Sequence, residues 1–175
     1  KRLFYKDPSF KNALIRFEFK FDGAQDIRLV TGSNGSYNTV VHIQKDHFFI
    51  QTAMDKRGPW FPMRHGECAY TFEKGKWYVM TMEFYEDQVI AHLDHEHLAY
   101  GKHPMINQER TYLALQVDQA GACFDNIQVF GTARHSSQEN NLQLIAKQSG
   151  KFPFAKTVQE KYKILKGNLH AILYM

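Results

Sequence analysis

The densest run of reactive side chains in the chain is His92-Leu93-Asp94-His95-Glu96-His97. Imidazole nitrogens and carboxylate oxygens are donors that zinc and nickel accept. On a strand, however, side chains alternate, so His92, Asp94 and Glu96 are expected on one face and His95 and His97 on the other. Unless the strand bends, neither face offers a full ligand set. A polar turn at a sheet edge is the plainer reading, and no metal is assigned. A second set is dispersed: Arg28, His42, Gln44, Gln51, Glu83, Gln116 and Asp118 each fall in or beside a segment with strand character. Gathered on one face, they would offer a ligand paired donors and acceptors. Glu83, Asp118 or His42 could serve there as a general base. Trp60 and Phe61 add flat apolar surfaces on which a ring could stack. Singly, each polar residue reads equally well as a solvated strand position.

The elements that must position these residues are strands. Residues 12–21 alternate most cleanly, with Ile15, Phe17, Phe19 and Phe21 on one face and Arg16, Glu18 and Lys20 on the other. Residues 75–94 read as two strands joined across the acidic turn Glu86-Asp87-Gln88, and the rest of the sheet is expected to pair around this hairpin. Further strands are expected over 26–31, 37–44, 47–53, 68–73, 95–100, 110–116 and 122–130, about ten in all. Residues 54–67, with two prolines and two glycines, are expected to form a long irregular loop carrying Trp60 and Phe61. Gly32-Ser33-Asn34-Gly35-Ser36 is loop material. With no Gly-Lys-Ser/Thr after it, it lacks the signature of a phosphate-cradling loop.

At 175 residues the chain is long enough for one domain with a substantial core. An aromatic share of 14%, mostly Phe and Tyr, favours sheet over helix bundle. The formal charge of +4 is spread in mixed sign, without the dense Lys/Arg stripe of a nucleic-acid surface. No apolar run approaches the ~20 residues of a membrane-spanning helix. Cys68 and Cys123 lack CxxC or metal-ligand spacing and are open to either a disulfide or two free thiols. The opening Lys1-Arg2 suggests a processed chain, with a removed export signal as one route to it. No cofactor motif is read.

Beyond Gly131 the pattern becomes helical. Ser136-Ser137-Gln138-Glu139 and Thr157-Val158-Gln159-Glu160 are capping boxes. After the second, Val158, Tyr162, Leu165, Leu169 and Ile172 recur at three- and four-residue steps as one apolar stripe. The expected organisation is an all-β domain over 1–131 and a short C-terminal helical tail over 132–175, packed on the sandwich or on a partner protein.

Several segments resemble the concanavalin A-like jelly-roll β-sandwiches of lectins and glucanases. Gly75-Lys76-Trp77-Tyr78 with its hairpin to Asp94 resembles the one shared by laminin-G-like domains. Phe124-Asp125-Asn126-Ile127-Gln128-Val129 resembles their closing strand, and residues 10–21 their opening one. The subgroup to which residues 1–131 are most similar is the 3-keto-disaccharide hydrolase family, whose members are bacterial and often exported. The resemblance implies a carbohydrate ligand, a glycoside hydrolase activity and an extracytoplasmic location. The Glu-x-Asp-x-x-Glu strand motif of retaining glucanases, which sets two carboxylates about 5 Å apart, is absent. In the hydrolase reading Glu83, Asp118 or His42 would be the base, with Trp60, Phe61, Arg28, Gln44, Gln51 and Gln116 holding the sugar. Two alternatives stand beside it: a non-catalytic carbohydrate-binding module, and an interaction domain that docks a protein through its tail.

Overall fold

The computed structural model describes residues 2–33, 36–53, 62–118 and 121–131, with the side chains of 6–8 excepted. Eleven strands and one turn of 3-10 helix occupy these residues: β1 Arg2–Phe10, β2 Ala13–Asp22, β3 Asp26–Ser33, β4 Ser36–Gln44, β5 His47–Thr52, β6 Met63–Ala69, β7 Trp77–Tyr85, β8 Gln88–Leu93, β9 His97–Lys102, the 3-10 turn Pro104–Ile106, β10 Arg110–Val117 and β11 Gly121–Gly131. They form two antiparallel sheets. One has the order β1-β10-β3-β4-β5-β6 and the other β11-β2-β7-β8-β9. This is an all-β sandwich of two antiparallel sheets, as expected from the resemblance to the concanavalin A-like jelly rolls.

The core between the sheets follows from the period-2 pattern. On β2, Ala13, Ile15, Phe17, Phe19 and Phe21 point inward; on β7, Tyr78, Met80, Met82 and Phe84 meet them. At one end an aromatic cluster closes the core. Phe19, Phe21, Phe72 and Tyr78 lie 5.1–6.0 Å apart in mixed tilted, stacked and edge geometries, and the Tyr78 hydroxyl accepts from the Glu73 amide at 2.8 Å. At the other end sits Arg110, fully buried, over the 3-10 turn.

Four expectations are corrected. β1 was not foreseen, because its outward Phe4 and inward Tyr5 blur the alternation. β6 starts at Met63, inside the expected 54–67 loop, and the expected 68–73 strand keeps only Cys68 and Ala69. As an edge strand with half its residues exposed, β6 carries no hydrophobic period to read. The histidine-rich run is not one strand: Asp94 and His95 take left-handed backbone (φ 46° and 65°) and reverse the chain between β8 and β9. The Asp94 carboxylate accepts from the Val79 amide at 2.8 Å and pins this turn, so Asp94 and Glu96 share no strand face with His92. Gly32, Ser33 and Ser36 belong to the β3–β4 pair, and a strand rather than a helix follows them. Cys68 and Cys123 are free thiols. The expected helical tail over 132–175 lies outside the described residues, as do Trp60 and Phe61.

The sheets approach closely where their edge strands β6 and β9 meet. A Cβ on Gly66 would stand 2.3 Å from the Tyr100 carbonyl oxygen and 2.7 Å from its amide nitrogen. Backbone cannot yield as a flexible side chain can. Gly66→Ala is therefore expected to destabilise the domain by at least ~2 kcal/mol, measured by urea unfolding; a stability unchanged from the parent would show that this edge is not closed in solution.

Candidate functional site

The outer face of the six-stranded sheet carries an ordered array of polar side chains. Strand register aligns one residue from each strand into a row: Arg2, Gln116, Arg28, His42, Phe49 and Glu67, from β1, β10, β3, β4, β5 and β6. With strands ~4.8 Å apart, a six-strand row is about 24 Å long. The adjoining row is Phe4, Ala114, Val30, Val40, Gln51 and Arg64. The face is thus polar along one line and mostly apolar along the next.

The polar row is internally bonded. Arg28 donates from Nε to Asp26 Oδ2 at 2.6 Å and from Nη2 to Asp118. His42 Nδ1 lies 3.1 Å from the same Asp26 oxygen. Asp26 is only 6% exposed, and its other oxygen has no hydrogen-bond partner among the described residues. The Gln116 side-chain oxygen, in the amide orientation that satisfies both groups, accepts from Arg2 Nε and Nη2 at 2.7 and 2.9 Å. Phe49 is clasped on three sides. The His42 ring stacks on it at 4.6 Å and 4°, His47 stacks at 5.6 Å, and the Arg64 guanidinium carbon lies 3.7 Å from its centroid. Arg64 in turn donates to Glu67 at 2.8 Å, and His47 pairs with Asp46 at 2.6 Å. Beside the row, Gln25, Asp26, Arg28, Gln44, Lys45, Asp46 and Asp118 line a shallow open groove of about 470 Å³.

Of the residues singled out in the sequence, Arg28, His42 and Gln116 lie in the polar row, Gln51 in the neighbouring one, Gln44 opposite Asp26, and Asp118 against Arg28. Glu83 does not join them. It is an outward residue of β7 in the other sheet, separated from His42 by the whole core. The expectation that it shares their face is corrected: strand alternation placed it outward but could not say from which sheet. Asp26, His47, Phe49, Arg64 and Glu67 were missed. Phe49 follows Phe48, so only register tells which ring faces out; Arg64 and Glu67 fell in a presumed loop. His92, in the histidine run, is buried on the same sheet as Glu83. Among the described residues, no group of three or more His, Cys, Asp or Glu is arranged to hold a metal.

The geometry defines a β-sandwich with a preorganised, charge-balanced polar face on its six-stranded sheet. Several solved structures share this fold. The lactose- and MES-liganded congerin II matches 74% of this chain and 99% of its own, with a TM-score of 0.58 and 14% identity. The carbohydrate-binding module CBM66 from Bacillus subtilis matches 73% of this chain and 81% of its own, with a TM-score of 0.59 and 13% identity. Chicken galectin 2 matches 70% and 97%, with a TM-score of 0.53 and 13% identity. No protein-family model matches the sequence. Neither does any curated protein sequence.

Proposed function

We propose that this chain is a carbohydrate-binding domain that takes a neutral sugar on the outer face of its six-stranded sheet. The observation that carries this reading is the charge balance of the face: Arg2, Arg28 and Arg64 stand against Asp26, Asp118 and Glu67, with Arg28 and Arg64 each bonded to a carboxylate. An anionic or cationic ligand would have to break those pairs. A polyol instead meets donors and acceptors side by side, each held in place by its neighbour, so little side-chain entropy is lost on binding. The lactose-bound congerin II and CBM66 support the reading, because the same fold serves sugars in both.

Arg64 is the residue to change first. It is about half exposed, so its removal leaves the core untouched. Arg64→Ala is expected to weaken sugar binding at least ~10-fold, equivalent to about 1.4 kcal/mol, with unchanged melting temperature. Titration calorimetry against ligands chosen from a neutral-glycan array measures it. Binding of neutral glycans that survives both Arg64→Ala and His42→Ala would move the site elsewhere; no binding across the array would end the proposal.

A second reading, a hydrolase resembling the 3-keto-disaccharide family, is favoured by one contact. Asp26 beside His42 Nδ1 is the arrangement that fixes an imidazole and leaves Nε2 with its lone pair as a base. In that reading His42 is the base. Glu83 is excluded by its place on the opposite sheet, and Asp118 is held by Arg28. Turnover of a 3-keto disaccharide, abolished in His42→Gln, would establish the enzyme; binding without turnover would leave the lectin-like reading standing.

A further inference from the structure

One step along the strands from the polar row, the outer face of the six-stranded sheet turns apolar and then aromatic. Ala114, Val30 and Val40 lie side by side on β10, β3 and β4, and Tyr37 and Tyr112 pack onto them as a small cluster separate from the core. Tyr112 and Tyr37 flank Gly32 in the register, and the Tyr112 hydroxyl sits where a Cβ on Gly32 would collide with it. The bare glycine thus lets the Tyr112 ring reach across β3. Phe4, opposite Ala114, is 49% exposed and meets the Tyr112 ring edge-on at 6.3 Å. Arg2 joins the two zones: its guanidinium carbon lies 5.2 Å from the Phe4 centroid while it donates to Gln116 in the polar row. Gln51, opposite Val40, hydrogen-bonds to Tyr37. The polar row itself offers no open ring at Phe49, which is 7% exposed beneath His42, His47 and Arg64.

We propose that Phe4 and Tyr112, with Tyr37 beside them, form a second sugar subsite, so that the face takes a neutral glycan of at least two rings; this rests on the carbohydrate-binding reading and specifies its ligand. Continuity with the polar row selects the occupant. Successive rows are ~6.8 Å apart along the strands, so a glycan whose first ring bonds the polar row brings its next ring over the aromatic patch. The chemistry fits as well. One face of a pyranose is lined by C–H bonds whose hydrogens carry partial positive charge, and it complements the negative face of an aromatic ring. Burial raises the pKa values of Tyr37 and Tyr112, so both stay neutral, with O–H groups at the rim of the patch for the sugar's hydroxyls. A wholly apolar ligand would instead leave the neighbouring donors and acceptors of the polar row unused.

The test uses the full chain with Phe4→Ser and Tyr112→Leu. Phe4 is half exposed, and Leu keeps an apolar contact with Val30 and Val40 while removing the ring. On a neutral-glycan array the parent should favour di- and oligosaccharides over monosaccharides. For its strongest disaccharide, titration calorimetry should show each variant weakening binding about 5- to 10-fold, with any affinity for the component monosaccharides unchanged. Tyr112→Phe should bind like the parent, because the ring is kept. Disaccharide affinity untouched by Phe4→Ser and Tyr112→Leu but lowered by Arg64→Ala would overturn the proposal and leave the carbohydrate-binding reading intact. A parent that binds monosaccharides as tightly as disaccharides would do the same. A loss confined to octyl glucoside would make the patch a seat for an apolar aglycone, and a parent dimer that dissociates on Phe4→Ser would make it a contact between copies; either overturns the second subsite. No glycan bound anywhere on the array would end the subsite together with the reading it rests on.

Discussion

Replacing Arg110 by Met is expected to be the most damaging single change in the domain, with a loss of about 3–5 kcal/mol and a fall in melting temperature of roughly 10 °C or more. Arg110 is fully buried, with only the nearby charge of Glu109 favouring its cation and no ion pair to it among the described residues. Its guanidinium instead gathers backbone carbonyls: Lys11 at 2.8 Å and Gln108 at 3.0 Å from Nη1, and Ile106 from Nη2. Nε reaches the Thr31 hydroxyl at 3.3 Å, and the ring of Phe84 lies 4.1 Å away. One side chain thereby ties the β1–β2 turn, the 3-10 turn and β3 together. Burial lowers its pKa to about 10, which leaves the cation in place at neutral pH. Met fills much of the volume but strands the carbonyls, each costing about 1–3 kcal/mol when buried and unsatisfied. Arg110→Lys should rescue little, since a single ammonium cannot span the fork that reaches three carbonyls. Guanidinium unfolding of the parent and both variants measures this; a loss under ~1 kcal/mol for Met would mean that the carbonyls find other partners.

The second large effect is a dependence of stability on acid, centred on His92. Burial, with a smaller contribution from the charge of His95, lowers the His92 pKa from 6.5 to about 4. The unfolded chain therefore binds the proton first. Between these two values it holds more protons than the native state, so stability rises with pH. The contribution is complete above about pH 6.5 and is lost as pH falls toward 4. From pH 7 to pH 4.5 it amounts to roughly 2 kcal/mol at 1.36 kcal/mol per pKa unit. His65, also lowered by burial and by His103, adds in the same direction. His92→Gln should flatten the curve between pH 6.5 and 4.5, although its stability at pH 7 is lower. An unaltered slope in that variant would assign the acid sensitivity to other groups.

Much of the fold was legible in the residues themselves. Alternation from Ile15 to Phe21 requires a half-buried strand, because only a period of 2 puts those four side chains on one surface. Polar breaks such as Glu86-Asp87 then favour antiparallel pairing of neighbouring strands, and a chain of short strands without helical period closes as a sandwich or a barrel. The polarity of Arg28, His42, Gln51 and Gln116 on outward positions was equally readable. Which sheet each strand joins was not. Glu83 and His42 are both outward strand residues, and nothing local distinguishes them. β10, near the end of the sequence, inserts between β1 and β3, so it is the long-range pairing that sets Gln116 against Arg28 and leaves Glu83 on the far side of the core. The clasp on Phe49 is likewise a product of register, since it draws on β4, β5 and β6 at once. Pattern decides inside from outside for each strand; only the order of strands in the sheet decides which outward residues meet.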